Sequence, residues 1–309
     1  MKGFSNGHYY SLNQYLRETF GCKVYKLALR GGCTCPNRDG TLGTKGCIFC
    51  SAGGSGEFAS DGESVSRMIE KAKLRVRSKT RDNKFIAYFQ TFTTTYMPVE
   101  KLETLLLDAV SQDCICAVSI GTRPDCLQAE ILELLDKINR IKPVWVELGL
   151  QTVSDKTAEY IRRGYPLSVY DEAAEKLQAL GINTIAHVIL GLPGETRADM
   201  LNTVRHVGAT ANGIKLQLLH VLKGTDLADE YSRGTFSALN LEQYIDIVCD
   251  CIEELPEDVV IHRLTGDGDK KLLIAPLWSG DKKRVLNALN RSLCEKNIRQ
   301  GSRCKSGLG

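Results

Sequence analysis

From Lys23 to Val221 the chain repeats a short strand-forming run followed by an amphipathic helical stretch, at intervals of roughly 30 residues, the rhythm of parallel strands joined by crossover helices. Six strand runs are legible: Lys23–Arg30, Phe85–Phe89, Cys116–Ile120, Val144–Leu148, Ile182–Leu190 and Ile214–Val221. Helical periodicity covers Ser64–Lys79, Val99–Ser111, Leu127–Ile138, Ser154–Arg163, Leu167–Leu180 and Thr196–Val207; Leu102, Leu105, Leu106 and Ala109 show the spacing of an inward face. Six units are too few for a closed eight-stranded barrel, so the expected fold class is α/β, an open partial (β/α)6 barrel over residues 23–223. Residues 1–22 form an N-terminal helical extension in which Tyr9, Leu12, Leu16 and Phe20 share a face and cover one end of the barrel. A C-terminal extension, 224–309, is expected to pack on the barrel with a helix over Leu241–Leu255, a short strand Val259–His262 and a closing helix Lys282–Leu293. The polar, Gly-containing tail from about 296 is expected to be mobile.

Hydrophobic residues make up 43% of the chain, ample for a core of this size. No stretch approaches the roughly 18 apolar residues of a membrane span, and the N-terminus has no apolar signal region. No membrane partner and a cytoplasmic location are therefore expected. The net charge of +3 does not by itself identify a nucleic-acid binder. The twelve cysteines lack the spacing of a small secreted scaffold, and a reducing compartment leaves them free for metal.

Four of those cysteines fall within Gly31–Cys50, GGCTCPNRDGTLGTKGCIFC, at the C-terminal end of the first strand. Active sites of barrels of this kind gather at that face. A glycine-rich loop without hydrophobic period cannot pack on its own, and thiolates converging on a metal would hold it. Three readings are open: small buried thiols in a turn, a zinc knuckle of Cys33, Cys35, Cys47 and Cys50, or an iron–sulfur cluster on Cys35, Cys47 and Cys50. One residue between Cys33 and Cys35 is tighter than zinc sites prefer.

The strand ends are unusually polar. The second is followed by QTFTTTY (Gln90–Tyr96), the third by SIGTRPD with Ser119 and Arg123, the fourth ends ELGLQT with Glu147 and Gln151, and the fifth runs HVILGLPGET from His187 to Thr196. The sixth carries Lys215, Gln217 and His220. A single such group is explained by a cap, a turn or a hydrogen-bonded core histidine; five strands in succession argue for one site at one barrel face. The helix over Ser64–Lys79 has a basic face, Arg67, Lys71, Lys73, Arg75 and Arg77, continued by Arg81 and Lys84: either a solvated surface or a phosphate-binding one.

The cysteine loop resembles the cluster loop of radical S-adenosylmethionine (radical SAM) enzymes, and specifically a bacterial family related to the catalytic subunit of the Elongator complex. That family reads roughly GGFTCPNRDG, a Gly-rich spacer, then GCxFC. Cys33 stands where the family usually has Phe, Arg30 where an Asp is common, and Gln90–Thr95 where many members have a Gly-Gly-Glu run. The resemblance extends from about His8 to about Ala288. It implies a [4Fe–4S] cluster on Cys35, Cys47 and Cys50 with one iron open to S-adenosylmethionine, and a reductive cleavage yielding a 5′-deoxyadenosyl radical. The implied cofactor-binding residues are Gln90 and Thr91 toward the amine, Ser119 and Arg123 toward the methionine carboxylate, Glu147 and Gln151 toward the ribose hydroxyls or the surroundings of the sulfonium, and Gly191 and Gly194 toward adenine. Gln217, His220, His262 and Arg263 are candidates to face the substrate. The implied partners are tRNA, modified on the 5-position side chain of its wobble uridine and bound by Lys71, Lys73, Arg75 and Arg77, and an external one-electron reductant such as flavodoxin or ferredoxin. The alternatives are a radical SAM reaction on a small molecule and a zinc-stapled RNA-binding protein without catalysis.

Overall fold

The computed structural model describes residues 3–54, 59–80, 82–266 and 268–304. Arg81 of the basic run and the last five residues of the tail lie outside the described residues. Along the chain come α1 (Leu12–Phe20), β1 (Tyr25–Leu29), α2 (Val65–Val76), β2 (Phe85–Phe89), α3 (Val99–Val110), β3 (Ile115–Thr122), α4 (Ala129–Asn139) and β4 (Val144–Gln151). Then follow α5 (Asp155–Tyr160), α6 (Leu167–Ala179), β5 (Asn183–Leu190), α7 (Arg197–Thr210), β6 (Gly213–Leu218) and β7 (Val221–Leu222). The chain closes with α8 (Asp226–Ser232), α9 (Leu241–Glu254), β8 (Val260–Arg263), β9 (Leu273–Ala275) and α10 (Lys282–Glu295).

The six expected strands pair in parallel and in chain order, and β8, the short strand of the C-terminal extension, joins β6 as a seventh. The sheet curls into a half-barrel, with helices on its convex face. Both edges are covered. Tyr10 O accepts a hydrogen bond from Ile261 N (2.8 Å) beside β8, and Ser60 N donates to Ala28 O (2.8 Å) beside β1. Unpaired backbone at a sheet edge would otherwise invite another chain.

Period two sorts each strand into a helix-facing and a lumen-facing set. Helix-facing residues such as Val146, Leu148, Ala186, Val188, Ile214 and Leu216 are buried in the main core. The lumen-facing set is layered. Its first layer, Val24, Ile86, Ala117, Trp145 and Ile185, is apolar and fully sealed, with Leu16 of α1 packed into it. This is the end that the N-terminal helix covers. Ser11 caps α1 through Gln14 N, and Gly21 ends it with φ of 72°, a left-handed conformation that glycine adopts without strain.

The tail is not loose where it is described. Gln300 is fully buried: its side chain donates to Val259 O (2.8 Å) and accepts from Tyr10 N (2.8 Å), while its backbone N donates to His8 O (2.8 Å). Arg303 pairs with Asp250 and Glu253. The expectation of mobility from about 296 is therefore corrected over 296–304: these polar residues are structural because distant backbone satisfies them.

Candidate active site

The second lumen layer lies two residues further along every strand. It consists of Lys26, Tyr88, Ser119, Glu147, His187 and Lys215, replacing Val24, Ile86, Ala117, Trp145, Ile185 and Gly213 of the sealed layer. Glu147 is its centre and has no exposed side-chain surface. Lys26 Nζ lies 2.5 Å from its Oε1, Ser119 Oγ donates to the same oxygen at 2.7 Å, and His187 Nε2 stands 2.7 Å from Oε2. Lys215 pairs with Oε2 and also donates to Tyr88 OH at 2.9 Å. Burial opposes the charge on Glu147, yet Lys215 and Lys26, aided by His187, hold its carboxyl well below the usual range. Burial lowers Lys215 to about 7 against the pull of Glu147, with Lys26 and Arg263 adding to the effect. Burial and Lys215 likewise hold His187 down at about 4.

Two residues further still comes a third layer, Ala28, Gln90, Gly121, Gly149, Ile189 and Gln217. Of these all but Gly121 are partly exposed, although their strand neighbours are mostly buried. That partial exposure opens the lumen at this level, although the Gln151 side chain stands 2.8 Å from where a Cβ of Gly149 would be and the Gln90 backbone 3.4 Å from one at Gly121. The barrel is thus sealed at α1, charged at mid-height and open at the C-terminal ends of its strands.

The cysteine loop sits over that opening. Ile48 is buried in a second small core with Ile161, Leu192, Leu219, Val221, Leu227 and Ala275, to which the β7–β9 ribbon and α8 contribute. Ile48 N donates to Ile161 O (3.3 Å), Leu227 N to Ile48 O (2.9 Å) and Asn37 Nδ2 to Arg162 O (2.7 Å). The loop expected to need a metal for order therefore also has protein anchors. Cys35, Cys47 and Cys50 take part in no disulfide. Burial pushes the Cys47 thiol up to about 11, with Cys50 and Cys35 among the groups acting on it. Cys33 points elsewhere, its Sγ donating to Thr91 O at 3.0 Å. Among the described residues no three His, Cys, Asp or Glu side chains meet closely enough to hold a single ion. That geometry does not fit a zinc knuckle, whereas a four-iron cluster is larger than an ion and is held by thiolates spread around it. Phe92, Gln151 and Arg162, three of the four non-glycine residues with positive φ among those described, all lie at this face. Backbone strain of this kind gathers at ligand sites.

Several residues expected to touch the cofactor are occupied otherwise. Ser119 and Glu147 are in the second layer, bound to each other and to the lysines, rather than at the opening. Arg123 forks onto its neighbour Asp125 (2.9 and 2.7 Å) and donates to Arg163 O, so its carboxylate partner is internal. The space left by the absent Cβ of Gly191 is filled by Leu239, 2.9 Å from where that Cβ would stand; at Gly194 it is open. Gln90, Gln151 and Gln217 remain partly exposed at the opening. Thr91 is buried with a hydroxyl that has no hydrogen-bond partner among the described residues, whereas the neighbouring Thr94 and Thr95 hydroxyls are satisfied within the wall. His262 lies low in the barrel against the Trp145 ring (centroids 5.7 Å), and His220 is packed under Gly266 and Gly268. Arg263 stands near the second layer, where it acts on Lys26 and Lys215. On α2, Lys71, Arg75 and Arg77 are exposed, while Lys73 is paired with Glu70 (2.8 Å). Sequence reasoning did not single out Lys26 or Tyr88; an inward lysine two residues past Val24 was the available signal.

The radical SAM superfamily model matches residues 35–207, and a radical SAM C-terminal domain model matches 211–295. The chain belongs to the radical SAM superfamily. It is a radical SAM enzyme, and the family works with a [4Fe–4S] cluster and S-adenosylmethionine. The zinc-stapled, non-catalytic alternative is thereby overturned. The Bacillus subtilis protein YtqA is 43% identical over 95% of this chain and 92% of its own length; Escherichia coli protein YhcC is 37% identical over 93% and 92%. A tRNA uridine(34) acetyltransferase of Methanocaldococcus jannaschii is 27% identical over 61% of this chain and 34% of its own. The solved structure of Methanocaldococcus infernus Elp3 superposes with a TM-score of 0.68 at 16% identity, covering 91% of this radical SAM chain and 64% of that one, a likeness of fold. Among the described residues no helix of this radical SAM protein is long and apolar enough to cross a membrane.

Proposed function

We propose that Cys35, Cys47 and Cys50 ligate the cluster of this radical SAM enzyme, that S-adenosylmethionine occupies the third lumen layer beneath it, and that the substrate is the wobble uridine of tRNA, modified on its 5-position side chain. The observation that carries the reading is the graded lumen: closed at α1 and open under the cysteine loop, where Ala28, Gln90, Gly149, Ile189 and Gln217 are partly exposed. When bound, the two cofactors supply one-electron cleavage of the sulfonium to give a 5′-deoxyadenosyl radical. The chain's own part is positional. The Ile48 and Asn37 anchors fix the loop that carries the thiols, and Gln90, Thr91, Gln151 and Gly194 border the space where the cofactor would lie. The sealed first layer keeps water from entering behind the reacting atoms. An external one-electron reductant such as flavodoxin or ferredoxin completes the cycle.

The tRNA assignment is supported by the archaeal uridine-34 relative and by the exposed cations of α2. Phosphate contacts of that kind give affinity that falls steeply with salt. Lys73→Glu, Arg75→Glu and Arg77→Glu together are expected to weaken tRNA binding and flatten its salt dependence. The deciding experiment is mass spectrometry of tRNA nucleosides from cells with and without the gene. A wobble-uridine nucleoside missing in the deletion supports the proposal. Identical profiles, under conditions where the protein is made, would move the substrate to the small-molecule class.

A further inference from the structure

Among its described residues the second lumen layer is short of negative charge: Lys26 and Lys215 share the single carboxylate of Glu147. Unbalanced charge away from bulk water is costly, and a layer that kept it for stability alone would be better built from apolar side chains, as the layer below is. The distribution of exposure has a direction. Glu147 shows none of its side chain to the lumen, whereas Lys26 is 15% and His187 22% exposed. The acid is hidden behind the groups that donate hydrogen bonds, so a molecule descending from the opening meets those groups first. About four residues of β4 separate Glu147 from the strand end at Gln151, roughly 13 Å of strand at about 3.3 Å per residue. The charged layer is thus a floor beneath the level assigned to the cofactor.

We propose that this floor receives an anionic oxygen group of the substrate, a carboxylate or a phosphate ester, with Lys26 and Lys215 as its binding residues. The proposal rests on the preceding assignment of the third layer to the cofactor, since the floor would otherwise be the cofactor's own. Lys215, held between Glu147 and Tyr88 OH, is already oriented into the layer and can exchange part of its pairing with Glu147 for the arriving anion. Charge-assisted hydrogen bonds from a fixed pair of ammonium groups would set how deep the substrate sits, and hence which of its carbons lies beside the cofactor.

Trp145 reports on the site, because Lys26 Nζ lies 5.1 Å from its ring centroid. In the full chain carrying Trp278→Phe, Trp145 is the only tryptophan, and its emission is followed at constant ionic strength during titration with acetate, inorganic phosphate and acetamide. A saturable change with acetate points to a carboxylate and one with phosphate to a phosphate ester, while acetamide gives none. Lys215→Met is expected to weaken the response at least about 10-fold, and the surface variant Lys176→Met to leave it unchanged. Glu147→Gln removes the competing internal acid but also the pull that keeps the lysines charged, so the titration is run well below pH 7, where binding should tighten by about 3-fold or more, a gain of function that misfolding cannot imitate. An absent response to both anions, an equal response to acetamide, or unchanged affinity in both Lys215→Met and Glu147→Gln would overturn the proposal. So would competition by S-adenosylmethionine in the cluster-loaded protein, which would make the anion site the cofactor's. Protein that forms 5′-deoxyadenosine yet binds neither anion loses this proposal and keeps the preceding one; protein that binds them but never cleaves the cofactor loses the preceding one.

Discussion

Two layers of one lumen, set two residues apart on the same strands, have opposite chemistry. Val24, Ile86, Ala117, Trp145 and Ile185 are sealed under α1 and contain no titratable group. Lys26, Tyr88, Ser119, Glu147, His187 and Lys215 form one charged, hydrogen-bonded set. Backbone geometry is shared, so the difference lies in what each layer faces. The first meets a helix and is built for stability; the second meets an opening and holds charge at a cost that a closed core would not retain. The comparison teaches that function in this barrel is read along the strands, from sealed to charged to open.

Closing the open layer should have the largest effect. Ala28→Leu places a large side chain at the partly exposed third layer while leaving the cysteines alone. Formation of 5′-deoxyadenosine by cluster-loaded protein is expected to fall by about 100-fold or more, with iron content unchanged. Near-normal product would show that the cofactor lies elsewhere. Opening the sealed layer should act on stability instead. Trp145→Ala is expected to cost about 3–5 kcal/mol in urea unfolding, because Trp145 is almost fully buried. Product formed per folded molecule should stay within about 3-fold of the parent, and a far larger drop would mean that the two layers are not separable.

The smallest effect is in pH. His187 is held down at about 4 by burial and Lys215, below an ordinary value of about 6.5. Between those values the unfolded chain binds a proton that the folded chain does not, so stability is lost as pH falls through that window. The ceiling is about 1.4 kcal/mol per pH unit. In His187→Gln this part of the slope should vanish, so the stability gap between parent and variant should change steadily between about pH 7 and about pH 5 in urea unfolding. A gap independent of pH would place the His187 ring in a less demanding site.

Much of this was legible before any coordinates. Strand order, helix positions and the place of the cysteine loop follow from periodicity and from the CxxC spacing of Cys47 and Cys50. The polar character of the strand ends was legible too, but not which polar groups face which. Glu147 meets Lys26 and Lys215 only after the sheet curls and brings β1, β4 and β6 to one point, and Arg123 is taken by Asp125 through a turn that composition does not show. Lys26 reads as one polar residue in an alternating strand. Gln300 reads as part of a polar tail because its partners, Tyr10 and Val259, lie far away in sequence. Patterns set by local periodicity were readable; pairings made by closure were not.

The most direct test of the central claim is iron and 5′-deoxyadenosine measured together on anaerobically reconstituted protein and its four cysteine variants. Cys35→Ala, Cys47→Ala and Cys50→Ala are each expected to lose the thiolate-to-iron colour and all product. Cys33→Ala, whose thiol is turned to Thr91 O, should retain about four irons per chain and form product from S-adenosylmethionine. Loss of the cluster in Cys33→Ala, or fully loaded parent protein that yields no 5′-deoxyadenosine even with reductant and cell extract added, would contradict the account.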